Sequence, residues 1–226
     1  LWHHTFGTGI VSTLSDLGHA GGVPSHPELL DYLADNFTNN SWSSKKMIKM
    51  LVMSKAFKQS SKPNTKAATV DANARLLWRF PPRRAEAEVI RDSILKLSSS
   101  LDTKIGGIGY RIHNTKLKYA LWKVVDNYSD KTWRRMIYQE RMRGVDDRIF
   151  TAFDFPDCGQ VLSKRPSSTT PLQALNLMNS QFIDIQCDIM AKKFHSSNHK
   201  GSINQAFQTL YNRAPTSEEL SICLKI

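Results

Sequence analysis

The sequence predicts a mainly α fold: a single irregular helical domain of about six or seven helices, with long loops and at most a short strand pair. Three observations carry this. Apolar residues recur at helical spacing through most of the chain. Helix-start signatures, a hydroxyl residue followed three positions later by Glu or Gln, recur along it. The composition expected of a strand is confined to one stretch, Tyr119 to Val125.

The elements follow in order. Ser25-His26-Pro27-Glu28 has the form of a capping box, and Leu29, Leu30, Leu33 and Phe37 continue it at helical spacing. Ser43 opens a second helix, with Trp42 and Met47 at the N′ and N4 positions of a hydrophobic staple and Met47, Ile48 and Leu51 on its apolar face. Residues 82–97 read as a third, with Pro82 in the first turn and Ala85, Val89, Ile90, Ile94 and Leu97 on one side. The helical period then fails between 98 and 128, where Gly106, Gly107 and Gly109 mark a turn. Asp130 or Thr132 opens a shorter helix through Met142, ended by Gly144, with Trp133, Met136 and Ile137 inward and its arginines outward.

In "RPSSTTPLQALNLMNS", Thr170 reads as an N-cap, Pro171 as N1, and Gln173 as the residue that completes the box. Leu175, Met178, Phe182, Ile185 and Ile189 then form the stripe of one long helix. On this reading Thr170→Ala costs about 1 kcal/mol. Two more boxes, Ser202 with Gln205 and Thr216 with Glu219, start the last helices. Segments 60–73 and 145–169 read as loops.

The 226 residues are long enough to bury a real core. No apolar run approaches the roughly 18 residues of a membrane span. The chain starts at Leu1 and stops at Ile226 inside an apolar helical pattern, so residues 1–226 are expected to be one helical domain truncated at both ends, a fragment of a longer multidomain protein. Its 31 basic and 20 acidic residues leave a net charge of +11. Much of the excess lies in residues 41–66, which hold seven Lys and no Asp or Glu. Such a balance points to an anionic partner, or simply to a solvated helix face and linker. Cys158, Cys187 and Cys223 form no CxxC or haem-attachment pattern, and the last two sit in apolar helical contexts that suit small core residues.

Familiar catalytic signatures are missing: no GxSxG, HExxH, P-loop or complete GxGxxG occurs. Gly7-Thr8-Gly9 reads as a turn. His3, His4, His19 and His26 lie close in sequence, but adjacent histidines seldom share one ion, so no metal site is expected. "RFPPRRAEAEVIRD", Arg79 to Asp92, is denser. Arg84 with Glu88 and Glu88 with Arg91 share a helix face, while Glu88 and Asp92 would repel unless an arginine stands between them. Paired carboxylates suit acid/base work and an arginine cluster suits an oxyanion. The same residues serve equally as a structural ion network. Trp133-Arg134-Arg135 and Arg141-Met142-Arg143 mix basic and apolar groups, as an amphipathic helix or an anion-binding face would.

Taken together and in order, six blocks resemble a known family. They are "WHHTFGTGIVSTLSDLGHAGGVPSHPELLDYLADNF", "WSSKKMIKMLVMSKAFKQSS", "NARLLWRFPPRRAEAEVIRDSIL", "WRRMIYQERMRG", "FDFPDCGQVLSKRPSSTTPLQALNLMNSQF" and "AFQTLYNRAPTSEEL". The family is the planctomycete-specific domain of unknown function found C-terminal to planctomycete cytochrome c-like domains in large exported proteins. Leu17 stands where the family usually has an aromatic, and Phe155 where many relatives have a cysteine. The resemblance implies a periplasmic or extracellular setting, cytochrome c-like domains upstream in the same parent chain as partners, and haem bound in those domains and not in this chain. It carries no agreed catalytic residues, and leaves Arg165 and Ser167 with a smaller claim to function.

Two readings of function follow. In the first, the chain is a non-catalytic accessory domain that serves docking or binds anionic polysaccharide; nucleic acid is a weaker alternative. In the second, it is a hydrolase-like enzyme acting on complex polysaccharide. The candidate functional cluster is His26, Glu28, Arg83, Arg84, Glu86, Glu88, Arg91, Asp92, Arg165 and Ser167.

Overall fold

Ten α-helices and one two-residue strand pair form among the residues that the structure, a computed structural model, describes: 1–114, 123–124, 128–141, 149–156, 161–195 and 198–225. The mainly helical class and long loops match the sequence, while the helices are more numerous and shorter than expected. The chain divides into two compact units, Leu1–Arg84 with Leu162–Lys164, and Ala85–Val161 with Arg165–Ile226.

In the first unit, α1 (Trp2–Phe6), α2 (Pro27–Asn39), α3 (Ser44–Met53), α4 (Lys55–Lys58) and α5 (Thr65–Val70) follow one another. Its core is Phe6, Met47 and Leu51, with Trp2, Phe57 and Phe80 packed around them. The Phe6 ring lies 4.2 Å from Trp2 and 6.1 Å from Phe57, distances at which aromatic pairs add to plain burial. Ser43 caps α3 as expected, accepting from the Lys46 amide at 3.3 Å. The rest of that helix start is corrected. Trp42 is 68% exposed with its ring edge against Phe37, and Ile48 also faces out.

The Ser25–Glu28 box does not form. Pro27, with no N–H and a fixed φ, takes the N1 position of α2, so Glu28 falls at N2 where it cannot reach back to the cap. The Ser25 hydroxyl instead donates to the Ile10 carbonyl at 3.3 Å and lies 2.9 Å from His26 Nδ1. Residues 60–73 are not all loop either: Asn64 accepts from the Ala67 amide at 3.2 Å and starts α5. Gly7 closes α1 in the left-handed conformation, φ 88°, which confirms the turn.

The second unit begins with α6 (Ala87–Leu97), later than Pro82; Glu86 at its cap is still extended. Its buried face is Ala87, Arg91 and Leu95, whereas Val89, expected inside, is exposed. Arg91 takes the centre because its fork finds acceptors there. It is 4% exposed and donates to the Arg134 carbonyl at 2.7 Å and the Thr132 carbonyl at 2.5 Å. Asp92 beside it accepts from the Met136 amide at 2.8 Å.

These bonds explain why residues 130–142 are not a helix. A helix would use the 132, 133 and 134 carbonyls for its own ladder. Arg91 holds two of them, and the Asp102 amide takes the Trp133 carbonyl at 2.9 Å. Two 3-10 turns, Asp130–Thr132 and Met136–Tyr138, form instead; Met142 to Gly144 lie outside the described residues. The facing is corrected too. Ile137 points out, and Arg134 turns in over the Tyr138 ring at 3.9 Å, donating to the Lys104, Gly106 and Ile108 carbonyls. That loop turns at Gly106 and Gly107, as expected, with φ 81° and 82°. At Gly109 a Cβ would meet the Tyr138 carbonyl oxygen at 2.5 Å, so no side chain fits.

β1 (His113–Asn114) pairs antiparallel with β2 (Lys123–Val124). The expected strand is thus present at 123–124, and residues 119–122 and 125 lie outside the described residues.

The long helix of the sequence reading is two, α7 (Pro171–Asn179) and α8 (Gln181–Phe194), broken at Ser180. The Asn179 amide side chain donates to the Leu175 carbonyl at 3.0 Å, competing for the acceptor that the helix ladder would use. The single stripe is lost. Leu175 and Met178 are 54% and 76% exposed, while Phe182 is buried against Ala87, Leu95, Met136, Ile149, Phe150 and Phe153.

α9 (His199–Tyr211) starts at Asn198, whose side chain caps the Gly201 amide at 3.3 Å, so Ser202 lies inside the helix and its box is not used. α10 (Ser217–Cys223) has the expected box: Thr216 accepts from the Glu219 amide at 3.2 Å, and Glu219 from the Thr216 amide at 2.8 Å. Arg213 grips the same carboxylate at 2.8 and 2.7 Å. Cys223 is half-buried and Cys187 exposed, which corrects the core placement of Cys187; Cys158 lies outside the described residues. Partial burial, then Asp184 and Asp188, push the Cys187 thiol pKa up and make it a poor nucleophile.

Arg91→Met should lower unfolding stability by about 3 kcal/mol in urea titrations, since two carbonyls lose a charged donor; unchanged stability would contradict the central role given to this side chain. The Arg213 side-chain hydrogen bond, then the Thr216 amide, hold the Glu219 carboxyl from an ordinary 4.5 down to about 2. A carboxyl depressed on folding stabilises above its unfolded pKa and loses that contribution as pH falls toward the folded one. Amide protection in α10 should therefore fall between pH 4.5 and about 2, and Glu219→Gln should remove that step.

Candidate functional site

A guanidinium between two carboxylates is the strongest charge arrangement that the expected cluster yields. In the second unit, Arg165 Nη1 donates to Glu88 at 2.7 Å and to Glu86 at 3.4 Å. Glu86 sits at the cap position of α6 and Glu88 in its first turn. Asp92, one turn on, is met by Arg135 Nε at 3.5 Å and by Arg91 at 3.7 Å. An arginine thus stands beside each carboxylate, and the feared repulsion between Glu88 and Asp92 is relieved. The partner of Glu88 is Arg165, not Arg84 or Arg91. Arg84 precedes α6, so the expected pairing of Arg84 with Glu88 on one helix face does not arise.

The remaining expected residues divide between the units. His26, Glu28, Arg83 and Arg84 belong to the first, and Arg91, Asp92, Arg165 and Ser167 to the second with Glu86 and Glu88. His26 is the half-buried cap residue of α2, and Glu28 is exposed in its first turn. The rings of His3 and His4 stand edge to face at 5.3 Å. Among the described residues no group of three or more His, Cys, Asp or Glu is placed to hold a metal ion.

In the hydroxyl run, the working residue is Ser168, not Ser167. Asp154, itself left-handed at φ 57°, accepts from the Ser168 amide at 2.7 Å and from its hydroxyl at 3.0 Å. Gln173 is buried under this loop, and its Nε2 donates to the Ala152 carbonyl at 3.0 Å and the Ser168 carbonyl at 3.1 Å. The expected capping box is corrected accordingly. Thr170 is the cap residue and Pro171 is N1, but the Thr170 side chain makes no capping bond and Gln173 is spent on the loop.

Chemically, the two clusters position more than they react. Glu86 and Glu88 both accept from one guanidinium, Arg165, an arrangement that ties a loop residue to the start of α6. The Ser168 hydroxyl donates directly to Asp154, a carboxylate that is a weak base for activating a serine.

A family model describing a protein of unknown function matches residues 1–226, the whole chain. The chain belongs to PSD1, the DUF1553 family. No curated protein and no solved structure matches it. The PSD1 chain has no helix among its described residues that is long and apolar enough to cross a membrane.

Reading the sequence missed Asp154, and with it the parts that Ser168 and Gln173 play in holding the loop. The run Ser167-Ser168-Thr169-Thr170 shows that hydroxyls are present, but which one turns inward is decided by Asp154, more than a dozen residues away. Gln173→Ala should cost about 2 kcal/mol in urea unfolding because two carbonyls lose their donor, and Thr170→Ala only a few tenths. The reverse order would restore the capping reading.

Proposed function

We propose that this chain is a non-catalytic helical accessory domain that binds an anionic polysaccharide through the lysine-bearing segment 41–66. The observation that carries this is the state of those lysines. Lys45, Lys46, Lys49, Lys55, Lys58, Lys62 and Lys66 are all exposed, and among the described residues none has an ion-pair partner. In the second unit, by contrast, Arg91, Arg134 and Arg165 are bound to carbonyls or carboxylates. Free cations draw a polyanion; cations already engaged hold a fold. Trp42, exposed just before the cap of α3, adds a flat apolar face on which a sugar ring can stack. The resemblance of the six sequence blocks supports placing the domain in an exported parent protein, downstream of cytochrome c-like domains that carry the haem, in the periplasm or outside the cell.

The hydrolase reading finds less support. It needs Glu86, Glu88 and Arg91 as working groups, yet the carboxylates share Arg165 and Arg91 is buried on backbone carbonyls. Affinity for a polyuronate or sulfated polysaccharide, measured over a salt series, decides between the readings. Binding should weaken steeply with salt, and Lys45→Gln with Lys46→Gln and Lys49→Gln should weaken it roughly tenfold or more. Trp42→Ala should lower affinity without changing the salt slope. Failure to bind any acidic polysaccharide at low salt would sink the proposal, and preference for single-stranded nucleic acid over polysaccharide would replace it with the nucleic-acid reading.

A further inference from the structure

In the second unit, a loop fastened at many points presents two isoleucines to water. Ile105 and Ile108 flank Gly106 and Gly107, whose φ of 81° and 82° lie in the left-handed region that glycine tolerates, and they are 90% and 95% exposed. The fastening is polar. Arg134 donates to the carbonyls of Lys104, Gly106 and Ile108 at 3.1, 2.6 and 2.7 Å. The Lys104 amide donates to Asp102 at 2.8 Å, and the Gly106 amide to the Tyr138 hydroxyl at 2.7 Å. Ile137, 78% exposed, directly precedes that tyrosine, whose carbonyl takes the Tyr110 amide at 2.9 Å, so a third isoleucine adjoins the base of the loop. Charge is sorted as well. Asp102 lies 4.0 Å from Arg134 and Arg111 pairs with Glu140, while Lys104, exposed, has no ion pair among the described residues.

We propose that the loop tip, residues 104–108, inserts into the surface of a membrane bearing anionic lipid, with Ile105 and Ile108 among the acyl chains and Lys104 at the headgroups. A loop in water needs no such fastening, because water itself supplies partners for its amides and carbonyls. Hydrocarbon supplies none, so a tip that enters it must bring its own. Five main-chain groups of this tip are matched from within the protein, by Arg134, Tyr138 and Asp102. An apolar protein pocket makes a weaker demand, since its walls can offer donors and acceptors to a loop backbone. The two side chains also stand clear of the protein on nearly every side, a shape that a deformable lipid surface accepts without a matching cleft. Attraction of Lys104 to anionic headgroups adds to burial of the apolar side chains, the combination by which interfacial segments bind. The tip uses none of the lysines of residues 41–66, so it stands or falls separately from the polysaccharide face.

The test is co-sedimentation of the whole chain with phosphatidylcholine vesicles that contain phosphatidylglycerol, at low salt and at about 1 M salt, where charge attraction is screened beyond about 3 Å. Binding should weaken with salt yet persist at the higher concentration. Ile105→Ser with Ile108→Ser, both at exposed positions outside the core, should weaken the salt-resistant binding about tenfold or more. Ile105→Leu with Ile108→Leu should retain it. Lys104→Gln should lower binding at low salt alone, and changing Lys45, Lys46 and Lys49 together to Gln should leave the salt-resistant binding intact. Binding that the higher salt abolishes, or that survives the double serine change, rests on charge alone and overturns the proposal. Absence of vesicle binding overturns it too, and leaves an apolar pocket on another protein as the partner of the two isoleucines.

Discussion

Arg91 is the side chain on which the second unit depends. A buried guanidinium is costly unless acceptors surround it, and here the planar fork reaches two main-chain carbonyls while its faces meet the rings of Tyr110 and Phe182 at 5.1 and 5.6 Å. The bond to the Arg134 carbonyl fixes the backbone of a second arginine. That arginine's side chain then holds the carbonyls of the loop at Lys104, Gly106 and Ile108. Helix, linker and glycine turn are therefore arranged in series. A lysine could serve one carbonyl as a point charge, but it could not span both.

This dependence explains what the sequence could and could not show. Helical class, long loops and the strand pair follow from local period, and the Ser43 and Thr216 caps follow from side chains that find their partners within one turn. Residues whose partners lie far along the chain defeat such reading. Trp133, Met136 and Ile137 have the spacing of an amphipathic helix, yet the carbonyls that would build it are held by Arg91 and by the Asp102 amide. Gln173 has the right place in a capping box, but the Ala152 and Ser168 carbonyls compete for it and win. In the candidate cluster, the density of charge between Glu86 and Asp92 was legible. The choice of Arg165 as the partner of Glu86 and Glu88, and of Ser168 over Ser167, was not, since nothing local encodes either.

The two units use positive charge differently. Among the described residues, arginines in the second are planar donors built into a polar scaffold, matched to oxygen atoms of the protein as at Arg91, Arg134, Arg141 and Arg165. Lysines of residues 41–66 in the first are hydrated point charges on flexible stems, exposed and without an ion-pair partner among the described residues. Net charge alone does not separate these uses. The distinction lies in which cations already have acceptors: the arginines are spent on the architecture, and the lysines are left to solvent.

Leu162–Lys164 add a constraint of timing. Residues 1–84 leave the ribosome before the second unit and hold their own aromatic core, but the first unit also includes three residues made almost eighty positions later. Domains ordinarily fold in order of synthesis as they emerge. Here the N-terminal unit can collapse early yet stays incomplete until most of the second has been translated. A nascent chain halted before residue 162 would carry the lysine segment without the last piece of its own unit, so the unit's assembly is tied to elongation past that point.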